Sequence, residues 1–231
     1  MWAVVVTLLL GDLIPVIDSK DFSAELQRAA VTATVRITCA GGNGSGVILA
    51  RDRGLFVYVL TANHVVAKQD GVEVATFSTI SYPKEAKTYS GTIVARSPEK
   101  DLALVRLTTA DKPPSLVAFD PAQAAPQAKS AFSALAVGCA EAEAPTCRIE
   151  KVKSKKQIKR PGVKEAVWAW EVAEAPRQGR SGGPLLDTKG NLIGICSGVG
   201  DGRGYYCHHE EILQFLKQNA FEYLLTKEGA K

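Results

Sequence analysis

The chain is short of metal ligands in metal-binding order. Its 231 residues hold three histidines, His64, His208 and His209, and five cysteines, with no C-x-x-C pair. Such spacing closes no zinc site, so no metal is expected. Charge of one sign is also scarce. Twenty-eight Lys and Arg against 24 Asp and Glu leave a net +4, too weak to call for a nucleic-acid partner. No apolar run is long enough to span a bilayer, and no internal repeat is legible. What remains is ordinary globular composition, 46% hydrophobic and 23% charged. The length suits one large all-β domain or two small ones.

The N-terminus, Met1 to Leu10, is apolar until Asp12 cuts it off. It resembles the core of a signal peptide, although no Lys or Arg precedes it and no small-x-small cleavage site follows. Residues 1–18 are read as an export segment or its remnant, with a strand or a core-docking segment as the alternative. Cys139 and Cys147 bracket a short acidic loop, and Cys196 and Cys207 bracket a glycine-rich one. Both pairs read as disulfide staples of hairpins, which implies an oxidising compartment, secreted or at the cell envelope. Cys39 is left over. The alternative is five reduced, buried thiols.

Residues 19 to 30 begin like a helix, with Ser19 or Asp21 as cap. From Val31 the period changes to two: Val31, Ala33, Val35 and Ile37 alternate with polar neighbours, which predicts a half-buried strand. Further strands are expected at 47–50, 55–60, 72–80, 89–95 and 101–107. Prolines at 113, 114, 121 and 126 argue against any regular element between Thr108 and Lys129. A second set of strands is expected at 132–137, 149–152, 167–172, 185–186, 192–196 and 205–207. Residues 210–226 read as one amphipathic helix. Many short strands followed by one helix suggest two packed barrels or a sandwich.

Three segments carry chemistry. Gly179-Arg180-Ser181-Gly182-Gly183-Pro184 sets a serine hydroxyl among glycines whose backbone N–H groups could converge on an oxyanion. Thr61-Ala62-Asn63-His64-Val65-Val66 offers a base after an apolar run. Asp101-Leu102-Ala103-Leu104 offers a carboxylate at the start of another. The order His, Asp, Ser is one of the chain orders of the serine triad. Each residue alone has an ordinary reading: a polar surface histidine, a strand-edge charge, a turn serine. Their ordered coincidence outweighs these. His208 and His209 read as ordinary residues at a strand-to-helix junction.

With Gly44-Ser45-Gly46-Val47 and Gly194-Ile195-Cys196-Ser197-Gly198 added, the chain resembles the trypsin-like, chymotrypsin-fold serine proteases over residues 30 to 225. It is most similar to the bacterial HtrA/Deg-type branch, without the PDZ domain that usually follows there. The resemblance implies an all-β fold: two six-stranded antiparallel β-barrels and a C-terminal helix. The expected divisions are 19–110 for the first barrel with its leading helix, 111–129 for the linker, 130–207 for the second barrel and 208–231 for the helix. It also implies roles. Ser181 would be the nucleophile, His64 its base and Asp101 the group that orients the base. Backbone N–H groups of Gly179 and Ser181 would form the oxyanion hole, where one donor is worth about 3 kcal/mol. Ser197 would support the buried aspartate. No cofactor is implied.

Ala175, six residues before the serine, matches the base of the family's primary pocket, and Gly198 and Val199 match its wall. No acid stands there, so a small or medium apolar residue is expected before the scissile bond. Arg180 departs from the family. Digestive members carry an aspartate there, which receives a newly cut N-terminal amine. An arginine cannot, so activation without N-terminal cleavage is expected. The run Lys151 to Arg160 holds six basic residues, read as a solvated face or as a site for an anionic partner. The competing function is a catalytically silent module of the same fold that captures peptides in the cleft.

Overall fold

The computed structural model describes residues 14–67, 70–120 and 131–225. The export segment expected at 1–18 therefore lies largely outside the described residues. Helix α1 (Ala24–Ala33) leads into β1 (Thr34–Cys39), β2 (Gly42–Asp52), β3 (Phe56–Thr61) and the one-turn α2 (Asn63–Val66). Then come β4 (Gly71–Thr76), β5 (Lys87–Ser97) and β6 (Leu102–Thr108). These six strands close an antiparallel barrel in the order β1-β2-β3-β6-β5-β4. A second closed barrel has the order β10-β11-β12-β9-β8-β7. Its strands are β7 (Phe132–Gly138), β8 (Thr146–Ile158), β9 (Val167–Val172), β10 (Pro184–Leu186), β11 (Leu192–Gly200) and β12 (Arg203–His208). Helix α3 (His209–Gln218) follows. The barrel alternative is the one realised, and closure removes the sheet edges that a sandwich would leave.

Several boundaries differ from the periodicity: β2 starts at Gly42 and β8 runs from Thr146 to Ile158, longer than the 47–50 and 149–152 expected, and β4 stops at Thr76, not at 80. Val31 to Ala33 belong to α1, not to a strand. Ser23 accepts from Leu26 N and caps a helix that runs until Thr34, where the backbone turns extended. The alternating pattern was half helix: Val31 and Ala33 are buried in either form. The single C-terminal helix also breaks early. Asn219 caps α3 and Ala220 takes φ 61°, so Tyr223 and its neighbours form a separate 3₁₀ turn (Glu222–Leu225).

The expected disulfides are absent; all five cysteines are free thiols. Cys196 lies inside the second barrel with Trp170 and Tyr206, whereas Cys207 lies in the apolar layer outside it with Ile212 and Phe215. Side chains on opposite faces of a sheet cannot be bridged. Cys139 is fully buried and Cys147 sits beside Gln27 O. Burial pushes the Cys139, Cys147 and Cys196 thiols up to about 12, so none is a ready thiolate. The cysteine argument for an oxidising compartment falls with the staples.

A large apolar cluster joins the barrels, from Val47 and Leu60 through Leu135 and Ile195 to Phe215. The N-terminal segment is part of it. Ile14 and Phe22 are buried there, and the Gln27 amide ties the segment down through Ile17 N, Ile17 O and Phe22 O. Among the described residues no helix is long and apolar enough to cross a membrane.

Candidate active site

The seam between the barrels brings the three predicted segments together. The β5–β6 turn ends at Asp101, which takes φ 55°, a conformation that aspartate tolerates better than most residues. This bends Asp101 back against α2. Its carbonyl accepts from Asn63 N at 3.1 Å, and its carboxylate accepts from His64 N at 2.9 Å. The same carboxylate lies 3.0 and 2.9 Å from His64 Nδ1. The His64 ring is thus held through one nitrogen, and the imidazole side chain remains 47% exposed, while that of Asp101 is 5% exposed.

Ser197 completes the cage. A bulge in β11 between Cys196 and Gly198 leaves Ser197 without a cross-strand partner. Its hydroxyl donates to Asp101 Oδ2 at 2.5 Å. The Arg160 guanidinium donates to Ser197 Oγ and lies 3.7 Å from Asp101 Oδ2. Burial pushes the Asp101 carboxyl up. The His64 hydrogen bond and charge, the Ser197 hydroxyl and Arg160 outweigh it and hold the group below its ordinary value. The Gly194–Gly198 motif points to Ser197 from the sequence, whereas Arg160 stands out there only as the end of a basic run.

Ser181 sits on a loop that the first barrel shapes. Ser45 N donates to Ser181 O at 2.7 Å, and Ser45 Oγ donates to Gly179 O at 2.7 Å while accepting from Cys139 N at 2.8 Å. Gly182 has φ +86°, and a side chain there would collide with Ser45 O and Thr61 Oγ1. Gly179 has φ +87°, and a side chain there would collide with Cys139 O. Gln178 O accepts from Glu141 N at 3.0 Å. A trans peptide then turns the Gly179 N–H away from that turn. Ser45 was quoted in a motif but given no role; its buried hydroxyl links both barrels, which needs tertiary structure to see.

Arg180 points the opposite way from its neighbours. Its side chain is buried and its guanidinium donates to Ala136 O (3.1 Å), Gly138 O (3.2 Å), Thr146 O (3.2 Å) and Thr146 Oγ1 (3.3 Å). Glu150, buried and paired with Arg148 at 3.2 Å, supplies negative charge nearby.

His64, Gln178, Gly179 and Ser181 line one cleft of about 400 Å³, together with Cys39 and Val65. Gly198 and Val199 line a second groove, and Ala175 is among the lining residues of neither. Ala175 is half-buried between Glu174 and Pro176, and a side chain at Gly204 of β12 would collide with both of them. His208 and His209 lie outside the clefts. Burial pushes His208 down to about 3; it caps α3 through Glu210 N and packs on Trp170 at 4.6 Å. Among the described residues no group of His, Cys, Asp and Glu is placed to hold a metal ion.

Residues 44–195 match the model of the trypsin-like peptidase domain. No curated protein sequence matches the chain significantly. Among solved structures, an inactive-form mutant of Rv3671c from M. tuberculosis H37Rv superposes with a TM-score of 0.71 at 20% identity, covering 90% of this chain and 96% of that one. The active form of the Rv3671c protease gives 0.67 at 22% identity, covering 89% of each. The serine endoprotease from Yersinia pestis gives 0.65 at 18% identity, covering 88% of this chain and 67% of that one. At such identities the structural likeness shows the fold, and the sequence model shows the family. The chain belongs to the trypsin-like peptidase family and is a serine-type endopeptidase.

Proposed function

We propose that the protein hydrolyses peptide bonds through Ser181, His64 and Asp101, by way of an acyl-enzyme. The observation that carries this reading is the Asp101 carboxylate held against His64 Nδ1 while His64 and Ser181 share one cleft. Ser181 Oγ attacks the scissile carbonyl carbon and gives its proton to His64 Nε2. This requires the two atoms to come within about 2.6–3.2 Å in the substrate complex. Asp101 keeps the ring in the tautomer that leaves Nε2 free and stabilises the imidazolium. The N–H groups of Gly179 and Ser181 receive the oxyanion. The C–N bond breaks, the amine takes the proton from His64, and water then removes the acyl group by the same path.

The residue before the scissile bond is small or apolar on this reading, because the cleft that holds His64 and Ser181 is lined by no carboxylate, Lys or Arg among the described residues. Arg180 supports competence without N-terminal cleavage: the position where digestive members receive a new amine holds a guanidinium already engaged by three carbonyls. The apolar Met1–Leu10 stretch supports work at the cell envelope or outside the cell.

Digestion of a peptide library by the wild-type chain and by Ser181→Ala tests the reading. Fragments should form only with the wild type, with Ala, Val or similar residues before the cut. A profile dominated by Arg, Lys or Glu contradicts the pocket assignment. Activity confined to one particular free N-terminus contradicts the reading of Arg180. No cleavage by a folded wild type favours the silent peptide-binding module.

A further inference from the structure

A second groove, of about 420 Å³, reaches Ser197, which hydrogen-bonds Asp101. One wall is the end of β8 and the loop after it, from Lys156 to Pro161. The other is Ser197 to Gly200 of β11, with Tyr205 also lining the groove. Among the described residues three cations line it, Lys156, Lys159 and Arg160, and no carboxylate does. The acids nearby are already engaged. Glu171 is shared by Lys156 and Arg203, each at 2.7 Å, and Asp101 is buried behind Ser197. Lys159 is exposed and makes no ion pair among the described residues.

The β11 wall is a half-used strand. Gly198, Val199 and Gly200 pair with β12 on one edge, while β10 and the two glycines before it reach only as far as Cys196 on the other. Backbone groups beyond Ser197 are therefore free to pair with an incoming extended segment, and Val199 is 63% exposed beside them. Ser197 touches Asp101, so this edge begins at the triad and leads away from it. Every strand pairing in the barrel is antiparallel. A segment that pairs antiparallel to β11 enters at Gly200 and reaches the triad at Ser197. The residues in the groove then precede the scissile bond, and at about 3.3 Å per residue they are the second to the fourth before it.

We propose that this groove selects acidic side chains two to four positions before the scissile bond, with Lys159 as its main free cation and Lys156 and Arg160 as support. The inference rests on the peptidase reading of the neighbouring cleft. The basic run thus acts in a defined groove rather than as a diffuse polyanion patch.

The probes are fluorescein-labelled octapeptides, neutral except for Glu, Gln or Lys at the second to fourth positions before an Ala–X bond. Binding to the full chain carrying Ser181→Ala is read by anisotropy at low and high salt. The Glu peptide should bind about five- to tenfold more tightly than the Gln peptide at low salt, a few screened charge pairs' worth. The advantage should shrink at high salt and vanish in the double variant with Lys159→Glu. Equal binding of Glu and Gln peptides, or an advantage that survives Lys159→Glu, overturns the proposal. Cleavage by the wild-type chain is scored separately. A Glu preference in binding with no peptide cleaved refutes the peptidase reading and keeps the groove; cleavage without a Glu preference does the reverse.

Discussion

The first barrel is filled almost wholly by aliphatic side chains: Val35, Ile37, Ile48, Val59, Val74 and Val105 among them. The second barrel surrounds Trp170, Tyr206 and Cys196 and also buries charge, at Arg180, Glu150 and Glu171. Trp170 Nε1 donates to Ile193 O at 2.9 Å, and Arg180 spends its guanidinium on three main-chain carbonyls. The contrast follows what each barrel delivers. The first presents side chains, His64 on the short α2 after β3 and Asp101 on the turn before β6, each beside strands that pair with one another. The second presents a loop, Gln178 to Gly183, that carries the Ser181 hydroxyl and, on the proposed reading, the backbone N–H groups of Gly179 and Ser181. A loop has no ladder of its own, so buried polar partners hold it: Arg180 from within and Ser45 from the facing barrel.

Four changes probe this division, the largest first. Asp101→Asn should leave the fold intact and lower turnover by roughly 10⁴-fold, since the amide favours the wrong His64 tautomer. Steady-state cleavage of a peptide together with thermal unfolding checks it, and turnover near wild type contradicts the role given to Asp101. Arg180→Met should strand the carbonyls of Ala136, Gly138 and Thr146 and cost about 3 kcal/mol of stability, with activity lost as well. Urea unfolding measures it; a variant of unchanged midpoint shows that the clamp does not hold the loop.

Ser45→Ala should lower turnover about tenfold with little change in KM, because the Cys139 N–H and Gly179 O lose their shared partner. Val59→Ala, in the first barrel, should instead cost about 2 kcal/mol of stability and leave the turnover of folded protein unchanged. Reversal of these two outcomes would erase the distinction between the barrels.

The smallest effect is on acid stability. Burial pushes the Glu171 carboxyl up, but hydrogen bonds from Lys156, Arg203 and Ser154 outweigh it and hold the group at about 2, below its ordinary 4.5. A carboxyl lowered in the folded state stabilises fully above its unfolded value and loses that contribution as pH falls through the folded one. Stability owed to Glu171 should thus decline from about pH 4.5 towards pH 2. Glu171→Gln should flatten that part of the curve and leave it unchanged near neutrality apart from a constant offset. An unaltered slope below pH 4.5 would place the acid sensitivity elsewhere.

His64, Asp101, Ser181 and Ser197 could be singled out as candidates because each stands in a short motif, and the structure adds that they gather at one seam. The strands were legible through alternation, though Val31 to Ala33 satisfy both periods and lie in the helix that begins at the Ser23 cap and ends at Thr34. Ser45 and Arg160 were illegible as site residues, since their partners lie 134 and 37 positions away. The disulfides failed for a related reason: sequence spacing places Cys196 and Cys207 across a hairpin but cannot say that they face opposite sides of it.

The central claim is that Ser181 is a nucleophile activated by His64 and Asp101. Covalent labelling of the full chain by a fluorophosphonate, followed by peptide mapping, tests it most directly. The account predicts one adduct per chain, on Ser181, formed rapidly at neutral pH and lost in Ser181→Ala and strongly slowed in Asp101→Asn. A folded chain that stays unlabelled, or that carries the adduct on another residue, would contradict it.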